Sequence, residues 1–316
     1  MFHPTLSKTG RFFFTPLIKL CEFMGNYMPE PLIKLRYYFV FKKKLDLKNP
    51  KSINEKILWA KLYSDTTLWT ELADKRKVRK YVEKLGLGDI LVKLYATWYK
   101  KEDVDFDTLP DEFIIKAKNG DGKGTNKIIH KKDMTPEKRM EYINIIDKWL
   151  KRKNIGALHA EPHYKYMLPC VIAEEVLPFE SGTTSLTDYK MWCFNGKCYY
   201  VWVCNERSKN GNSANVMTYD MDWKAHPEFS VFNSDYHKGD IIPRPQKFDK
   251  MVEIAEKLSE GFPELRVDLY NIDGKIYFGE LTFTSQGGFM DYFTQEFNYE
   301  LGAKFDIKDF PHKNKN

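Results

Sequence analysis

Two β-rich runs near residues 266–282 carry four polar side chains in an alternating pattern. Arg266 and Asp268 are two residues apart, and so are Glu280 and Thr282. An Asp-Gly pair between the runs predicts a hairpin turn, which makes the runs neighbouring antiparallel strands. Because alternate residues of a strand share a face, we expect all four side chains on one face. Carboxylate and hydroxyl oxygens favour Mg²⁺, and an adjacent arginine can neutralise a phosphate or a developing oxyanion. The competing interpretation is a surface hairpin with alternating polar residues.

A second candidate lies in "EFIIKAKNGDGKGTNKIIH", residues 112–130. Lys116 ends a β-branched run, and the loop that follows contains Gly120, Gly122, Lys123 and Gly124. The G-x-G-x-G spacing fits neither a dinucleotide fingerprint nor a P-loop, and a strand rather than a helix follows it. Backbone N–H groups of such a loop can approach a phosphate closely because no Cβ obstructs them. Taken alone, the pattern is more often an ordinary hairpin.

Two further predicted strands are mainly apolar but contain charged residues. Glu174 and Glu175 lie in "VIAEEVL", where a strand end could offer polar groups to an adenine and a ribose, or could face solvent. Lys190 lies in "DYKMWCFNGK" among large rings, where an unpaired ammonium would be costly. It is either a second phosphate ligand or a surface lysine on an amphipathic strand.

The helices and strands that we expect around these residues indicate an α+β fold. Capped or amphipathic helices are expected over residues 52–63, 71–85, 135–153 and 248–262, and hairpin-linked strands follow residue 170. Asn-Gly and Asp-Gly pairs separate two strand pairs. The order gives antiparallel hairpins rather than a parallel βαβ array.

Composition narrows the functional classes. The chain has 316 residues, 42% hydrophobic and 15% aromatic residues, and a net charge of +6. This mild excess of positive charge gives no indication of nucleic-acid binding. Five cysteines without a C-x-x-C pair indicate a reducing compartment. Because no signal peptide or apolar run of transmembrane length is visible, we expect a cytoplasmic protein.

Residues 11–45 combine aromatic, aliphatic and basic side chains with almost no acid. One interpretation is a segment that lies on an anionic membrane surface, at the inner face of the cytoplasmic membrane. The other is a pair of helices that packs on the main body, with Lys42, Lys43 and Lys44 as a solvated end.

Together these motifs resemble the TupA-like ATP-grasp family of bacterial polysaccharide biosynthesis. The matching stretches span residues 50–306 and are "SINEKILWAKLY", "LADKRKVRKYV", "LPDEFIIKAKNGDG", "VIAEEVL", "DYKMWCFNGK" and "RVDLYNIDGKIYFGELTFTSQGG". The resemblance implies two α+β lobes that clamp ATP. It divides the chain into an N-terminal aromatic and basic segment (1–49), a mainly helical region (50–110), a lobe with the Gly-rich loop (111–177) and a lobe with the metal site (178–316).

The resemblance also implies roles for the candidate residues. ATP would be bound by Lys116, Gly120, Gly122, Lys123, Gly124, Glu174, Glu175 and Lys190. Mg²⁺ would be held by Asp268, Glu280 and Thr282, although many ATP-grasp ligases carry asparagine at the position of Thr282. Arg266, Lys116 and Lys190 would stabilise the reacting phosphate.

The implied reaction is ATP-dependent joining of a carboxylate to an amine through an acyl phosphate. The family context suggests an acidic sugar of a capsule, O-antigen or cell-wall polymer, carried as a polymer or as a nucleotide- or lipid-linked sugar, and an amino acid or similar amine. The basic helix at residues 71–85 could contact such a glycan. Two enzymatic alternatives are a sugar kinase, with Asp291 as its base, and a glycosyltransferase. A third alternative is a non-catalytic, membrane-peripheral assembly protein.

Overall fold

The computed structural model describes residues 8–117, 124–179, 183, 185–208 and 213–313, with residues 8–14 as backbone only. Its α-helices are α1 Lys8–Tyr27, α2 Pro29–Phe41, α3 Ile53–Tyr63, α4 Thr67–Leu72, α5 Val78–Lys84, α6 Pro136–Leu150, α7 Pro162–Lys165, α8 Phe248–Ser259 and α9 Gln295–Gly302. Its strands are β1 Leu94–Trp98, β2 Glu112–Ala117, β3 Asn126–His130, β4 Val171–Glu174, β5 Asp188–Phe194, β6 Lys197–Asn205, β7 Ala214–Asp220, β8 Tyr236–Lys238, β9 Glu264–Ile272 and β10 Lys275–Thr282. The predicted α+β class is confirmed.

A four-stranded antiparallel sheet forms the first layer, in the order β1-β4-β2-β3. Alternate residues of β2 are buried, including Phe113 and Ile115, and they pack against Ile146 and Trp149 of α6. The sheet includes β1, which precedes residue 111 in the sequence. Residue 111 is the position at which the sequence predicts that this lobe begins.

A six-stranded sheet forms the second layer, in the order β10-β9-β5-β6-β7-β8, and only the β7–β8 pair of its described strands is parallel. Both predicted hairpin turns are confirmed, at Asn195–Gly196 and Asp273–Gly274. All four turn residues have positive φ, the conformation that a two-residue type I′ turn requires. Helix α8 covers one face of this sheet with an apolar stripe that includes Met251 and Leu258.

The helix predictions hold with one exception. Ser52 begins α3 with a complete capping box, and Thr135 caps α6. The single helix expected over residues 71–85 is wrong, because α4 ends at Leu72 and α5 begins at Val78. The carboxylate of Asp74 accepts hydrogen bonds from the backbone N–H groups of Arg76 and Lys77, each at 3.0 Å. This local turn competes with helical hydrogen bonding and interrupts the helix.

The N-terminal segment forms the helices α1 and α2, which pack on each other and on the body of the protein. Ile33 and Tyr37 of α2 are buried in a small core with Leu58 and Phe289. Across the described residues, no helix combines the length and apolarity that a membrane span needs.

Candidate functional site

The register of three neighbouring strands gathers the charged residues predicted from the sequence. Lys190 on β5 lies opposite Asp268 on β9, and Asp268 lies opposite Glu280 on β10. A bulge at Gly279 shifts the β9–β10 register just before Glu280. A Cβ at Gly279 would lie 2.8 Å from the carbonyl oxygen of Asp268, so this close approach requires glycine.

Arg266 is the most extensively bonded side chain of this cluster. Its Nε and Nη2 donate to the two carboxylate oxygens of Asp268, at 2.7 and 2.8 Å. Its Nη1 donates to Ser285 Oγ at 2.9 Å, and Nη2 also donates to Thr282 Oγ1 at 3.0 Å. The guanidinium is therefore fixed in orientation, which a planar fork of donors achieves better than an ammonium.

Lys190 is also buried and paired. Its Nζ lies 2.6 Å from Asp268 Oδ2 and 3.8 Å from Asp188 Oδ2, and Arg207 contacts Asp188 from the other side. Burial alone would lower the pKa of Lys190, but the two aspartates raise it above its ordinary value. Lys190 is therefore a permanent cation held by carboxylates. Asp188 is also the main cause of a raised pKa at Tyr270.

Glu280 lies at the open side of the cluster. Its Oε2 lies 3.1 Å from Lys75 Nζ, and its Oε1 accepts a long 3.5 Å hydrogen bond from Thr282. Lys75 is the largest cause that holds the pKa of Glu280 down at about 2, with help from Lys190 and Arg266. Its carboxylate is accordingly ionised at neutral pH.

The first sheet contributes a second group of charges. Lys116 Nζ on β2 lies 3.0 Å from Glu174 Oε2 on β4, and Arg79 Nη1 on α5 lies 3.4 Å from Glu174 Oε1. Glu174 is therefore engaged by two cations, whereas Glu175 continues the strand by donating its backbone N–H to Lys93. Gly124 is exposed with positive φ. The predicted loop residues Gly120, Gly122 and Lys123 lie outside the described residues.

Lys75 connects the two groups of charges. Glu280 is the main cause of its raised pKa, and Glu174 and Asp268 add to the effect. The ion pairs form two groups, and the electrostatic effect of Glu174 on Lys75 relates one group to the other. They contain six cations (Lys75, Arg79, Lys116, Lys190, Arg207 and Arg266) and four carboxylates (Glu174, Asp188, Asp268 and Glu280). The surplus of positive charge suits a polyphosphate.

The oxygen ligands of the cluster fit a Mg²⁺ ion. Asp268 offers about four acceptor positions, of which Arg266 and Lys190 use three, so one remains on Oδ1. The Glu280 side chain is 45% exposed and accessible. Within the described ranges, no group of three or more His, Cys, Asp or Glu side chains is placed to hold a metal. A metal here would therefore combine Asp268 and Glu280 with the Thr282 hydroxyl and with oxygens from a ligand.

Sequence reasoning missed four of the charged residues in this region: Lys75, Arg79, Asp188 and Arg207. Asp188 carried a usable signal, since it lies two residues before Lys190 on the same strand face. Lys75 and Arg79 were visible only as members of a basic segment, which we had interpreted as a glycan contact. Their partners, Glu280 and Glu174, are distant in sequence and could not be inferred from spacing.

Comparison with solved structures gives matches of low sequence identity. A D-alanine–D-alanine ligase from Bacillus anthracis is 14% identical, covering 70% of this chain and 59% of that chain, with a TM-score of 0.41. The same type of ligase from Helicobacter pylori is 14% identical, with a TM-score of 0.43, and the match covers 84% of this chain and 69% of that chain. An ADP complex of N5-carboxyaminoimidazole ribonucleotide synthetase is 13% identical, covering 69% and 46%, with a TM-score of 0.42. This chain thus spans less than two thirds of the first of these relatives.

Comparison with curated proteins gives no match. In contrast, the sequence model described as TupA-like ATPgrasp matches residues 55–306, which is most of the chain. The match includes both sheets and every described member of the charged region. The chain therefore belongs to the TupA-like ATP-grasp family.

Proposed function

We propose that this protein is an ATP- and Mg²⁺-dependent ligase that joins a carboxylate to an amine. The observation that carries the proposal is the fixed Arg266–Asp268–Lys190 cluster, with Glu280 at its open side and Lys116 on the other sheet. It offers cations for a triphosphate and carboxylate oxygens for a metal. Membership of the family supports ATP as the nucleotide.

The proposed reaction has two steps. A carboxylate oxygen of the acceptor attacks the γ-phosphorus of ATP, the bond to ADP breaks, and an acyl phosphate forms. The amine then attacks the acyl carbon, phosphate leaves, and the amine nitrogen loses a proton to give an amide. Catalysis rests on positioning and charge neutralisation, so the chemistry requires no nucleophile from the protein.

The residues have distinct roles in this proposal. Lys116 and Lys190 bind phosphate oxygens, and Arg266 neutralises the charge that develops on the transferred group. Asp268, Glu280 and Thr282 hold Mg²⁺, which when bound would neutralise phosphate charge as a Lewis acid. Because Arg266 is already oriented by four hydrogen bonds, it needs little reorganisation when a substrate binds.

The acceptor class follows from the family rather than from the geometry. We propose an acidic sugar of a capsule, O-antigen or cell-wall polysaccharide as the carboxylate, and an amino acid or similar amine as its partner. The alternative sugar kinase would use Asp291 as its base. Asp291 is exposed and accepts a 3.1 Å hydrogen bond from Gln286.

The test is a product assay with MgATP, uronic acids and a panel of amino acids. We expect ADP and phosphate as products, formed faster when both the acid and the amine are present, together with an amide detected by mass spectrometry. Formation of AMP would rule out the acyl phosphate. A phosphorylated sugar without an amide would favour the kinase, and a lengthened glycan would favour a glycosyltransferase. The absence of any ATP turnover would favour the non-catalytic alternative.

The metal assignment is tested separately with Glu280→Ala. We expect this variant to lose Mg²⁺-dependent turnover while it stays folded, because Glu280 lies at the open side of the cluster. Undiminished turnover in Glu280→Ala would contradict the assignment of this carboxylate to the metal.

A further inference from the structure

The contacts of helix α1 with the rest of the protein include a set of polar residues on one face. Asn154 donates a 3.2 Å hydrogen bond to Glu22, and Asn26 donates one of 3.4 Å to Asn154. Between them, Gly25 lies so close to residue 157 that an added Cβ would lie 1.7 Å from the Ala157 carbonyl oxygen. These residues are three or four positions apart and therefore lie on one face of the helix.

The opposite face of α1 is apolar and exposed. Leu20, Phe23 and Tyr27 also follow a spacing of three and four residues, and they are 52%, 54% and 70% exposed. At 100° per residue, this stripe lies across the helix from Glu22, Gly25 and Asn26. A surface helix normally buries its apolar stripe and exposes its polar one. Helix α1 instead leaves this stripe largely exposed in the part of the chain that the structure describes.

Helix α2 is apolar on both sides. Ile33 and Tyr37 are buried against the body, while Leu35, Tyr38 and Phe39 on the other side are about half exposed. The buried side packs the helix on the body, whereas the recorded ring contacts of the exposed side are local, between Tyr38 and Phe39 and between Phe39 and Lys42.

The two apolar stripes point away from the same support. Gly25 of α1 lies against Ala157, and Arg36 of α2 donates a 3.1 Å hydrogen bond to the Leu158 carbonyl. Because both inner faces lie on residues 157–158, both outer faces turn away from the body. Lys165 extends the surface, since its Nζ lies 5.5 Å from the ring centre of Tyr27 and 5.8 Å from that of Tyr166, which is highly exposed.

The charge of the chain is concentrated in these two helices and the turn that follows. Residues 8–44 contain eight basic and two acidic residues, a net charge of +6. The whole chain has 50 basic and 44 acidic residues, so the rest of the sequence is neutral, with 42 of each. Arg36 contacts the body and Lys34 pairs with Glu30, while the exposed lysines at positions 42–44 follow the apolar surface in the chain. An exposed apolar surface with such basic residues beside it is complementary to an anionic lipid surface.

We propose that the outer side of α1 and α2 docks the protein on an anionic bilayer. We call this surface the N-terminal face and define it by Leu20, Phe23, Tyr27, Leu35, Tyr38, Phe39 and the lysines at positions 42–44. The apolar side chains enter the headgroup region and the lysines contact anionic headgroups. The inference concerns a surface separate from the ATP site.

Docking would also place the ATP site near lipid-borne acceptors. The buried side of α2 packs against Phe289, and Arg36 lies 4.7 Å from the centre of that ring. Phe289 follows β10 by a few residues, and Ser285 in the intervening segment bonds Arg266. Helix α2, whose outer side forms part of the N-terminal face, is therefore joined to the charged cluster through one short, packed segment.

The test is co-sedimentation of the full chain with vesicles of phosphatidylcholine, with and without phosphatidylglycerol. We expect binding to the anionic vesicles and its reversal at high salt. The triple change Leu20→Ser, Phe23→Ser and Leu35→Ser should lower the partition coefficient at least tenfold. Replacement of Lys42, Lys43 and Lys44 by alanine should lower it by about a hundredfold, at about fivefold per lysine.

Matched controls separate docking from general hydrophobicity and from misfolding. Ile241→Ser with Met140→Ser removes two large apolar side chains that are also highly exposed but lie outside the N-terminal face. This variant should bind anionic vesicles like the wild type, and all variants should bind MgATP equally. Absence of vesicle binding by the wild type, or equal loss in the control, would overturn the proposal. So would a wild-type dimer that the serine changes convert to a monomer, because a second copy would then cover the face.

Discussion

The fork of Arg266 offers the sharpest test of the charged cluster. Arg266→Lys keeps the charge and removes the geometry, because one ammonium cannot span both oxygens of Asp268 together with the two hydroxyls of Thr282 and Ser285. Of the four hydrogen bonds, at least two are lost. Hydrogen bonds to charged groups contribute about 1.5–3 kcal/mol each. Asp268 keeps its 2.6 Å contact with Lys190, so the loss should lie near the lower limit of that range.

We therefore expect Arg266→Lys to lower the free energy of unfolding by about 3 kcal/mol. For a chain of this size, this corresponds to a fall in Tm of about 6 °C, at about 2 °C per kcal/mol. If Arg266 also neutralises the transferred phosphoryl group, kcat should fall by about 100- to 1,000-fold. Thermal melting, with and without MgATP, and an ADP-release assay measure the two effects.

A surface arginine provides the matched control. Arg139 makes the same two-bond contact with Asp107, at 2.8 and 2.9 Å, but in an exposed position outside the site. Arg139→Lys should leave both Tm and turnover almost unchanged, since exposed ion pairs contribute little. If Arg266→Lys behaved like Arg139→Lys in both assays, the cluster would not have the structural and catalytic importance assigned to it.

Three further predictions concern the same region. Lys75→Met removes the main cause of the low pKa of Glu280, so that pKa should rise from about 2 towards its ordinary value of 4.5. In the wild type, the stabilisation by ionised Glu280 is present above pH 4.5 and is lost as the pH falls towards 2. The variant lacks this stabilisation, so its acid unfolding should begin at a higher pH, and an unchanged midpoint of acid unfolding would contradict the pairing. Gly279→Ala places a Cβ 2.8 Å from the Asp268 carbonyl oxygen and should lower Tm and Mg²⁺-dependent turnover, whereas Gly261→Ala, at a position with positive φ but open space, should lower Tm alone. Lys116→Met should weaken MgATP binding, measured by calorimetry, more than Lys127→Met does. Lys127 lies on the neighbouring strand β3 and forms an exposed ion pair with Glu141 of α6. Equal affinities of the two variants would exclude Lys116 from the phosphate site.

Much of the second sheet followed from the sequence because its determinants are local. Asn195–Gly196 and Asp273–Gly274 fix two tight turns, and a two-residue turn fixes the register of the strands on either side. The turn alone would pair Asp268 with Gly279, and the bulge at Gly279 shifts the register so that Asp268 pairs with Glu280 and Arg266 with Thr282. The predicted sharing of one face by these four residues therefore depends on the bulge as well as on the turn. The roles of these residues in binding ATP and metal stay predictions.

The failures of sequence reasoning also have a physical cause. The break between α4 and α5 depends on a side chain, Asp74, that bonds backbone groups in place of the helical pattern. Lys75 lies in that break, and its distance of 3.1 Å from Glu280 joins residues 205 positions apart. The sequence also could not predict that Leu20, Phe23 and Tyr27 are exposed. Periodicity identifies an apolar stripe on a helix but does not indicate which side of the helix packs on the body.

The sequence by itself thus determined the α+β class, the hairpins, the family and the alternating carboxylates, since turn chemistry and the two-residue period of a strand act over short distances. Only the tertiary structure decided which cations those carboxylates meet. Lys75 and Arg79 reach them from outside the sheets, and Arg207 reaches Asp188 from the end of β6. Electrostatic pairing depends on distance in space, which packing sets and which spacing along the chain does not encode.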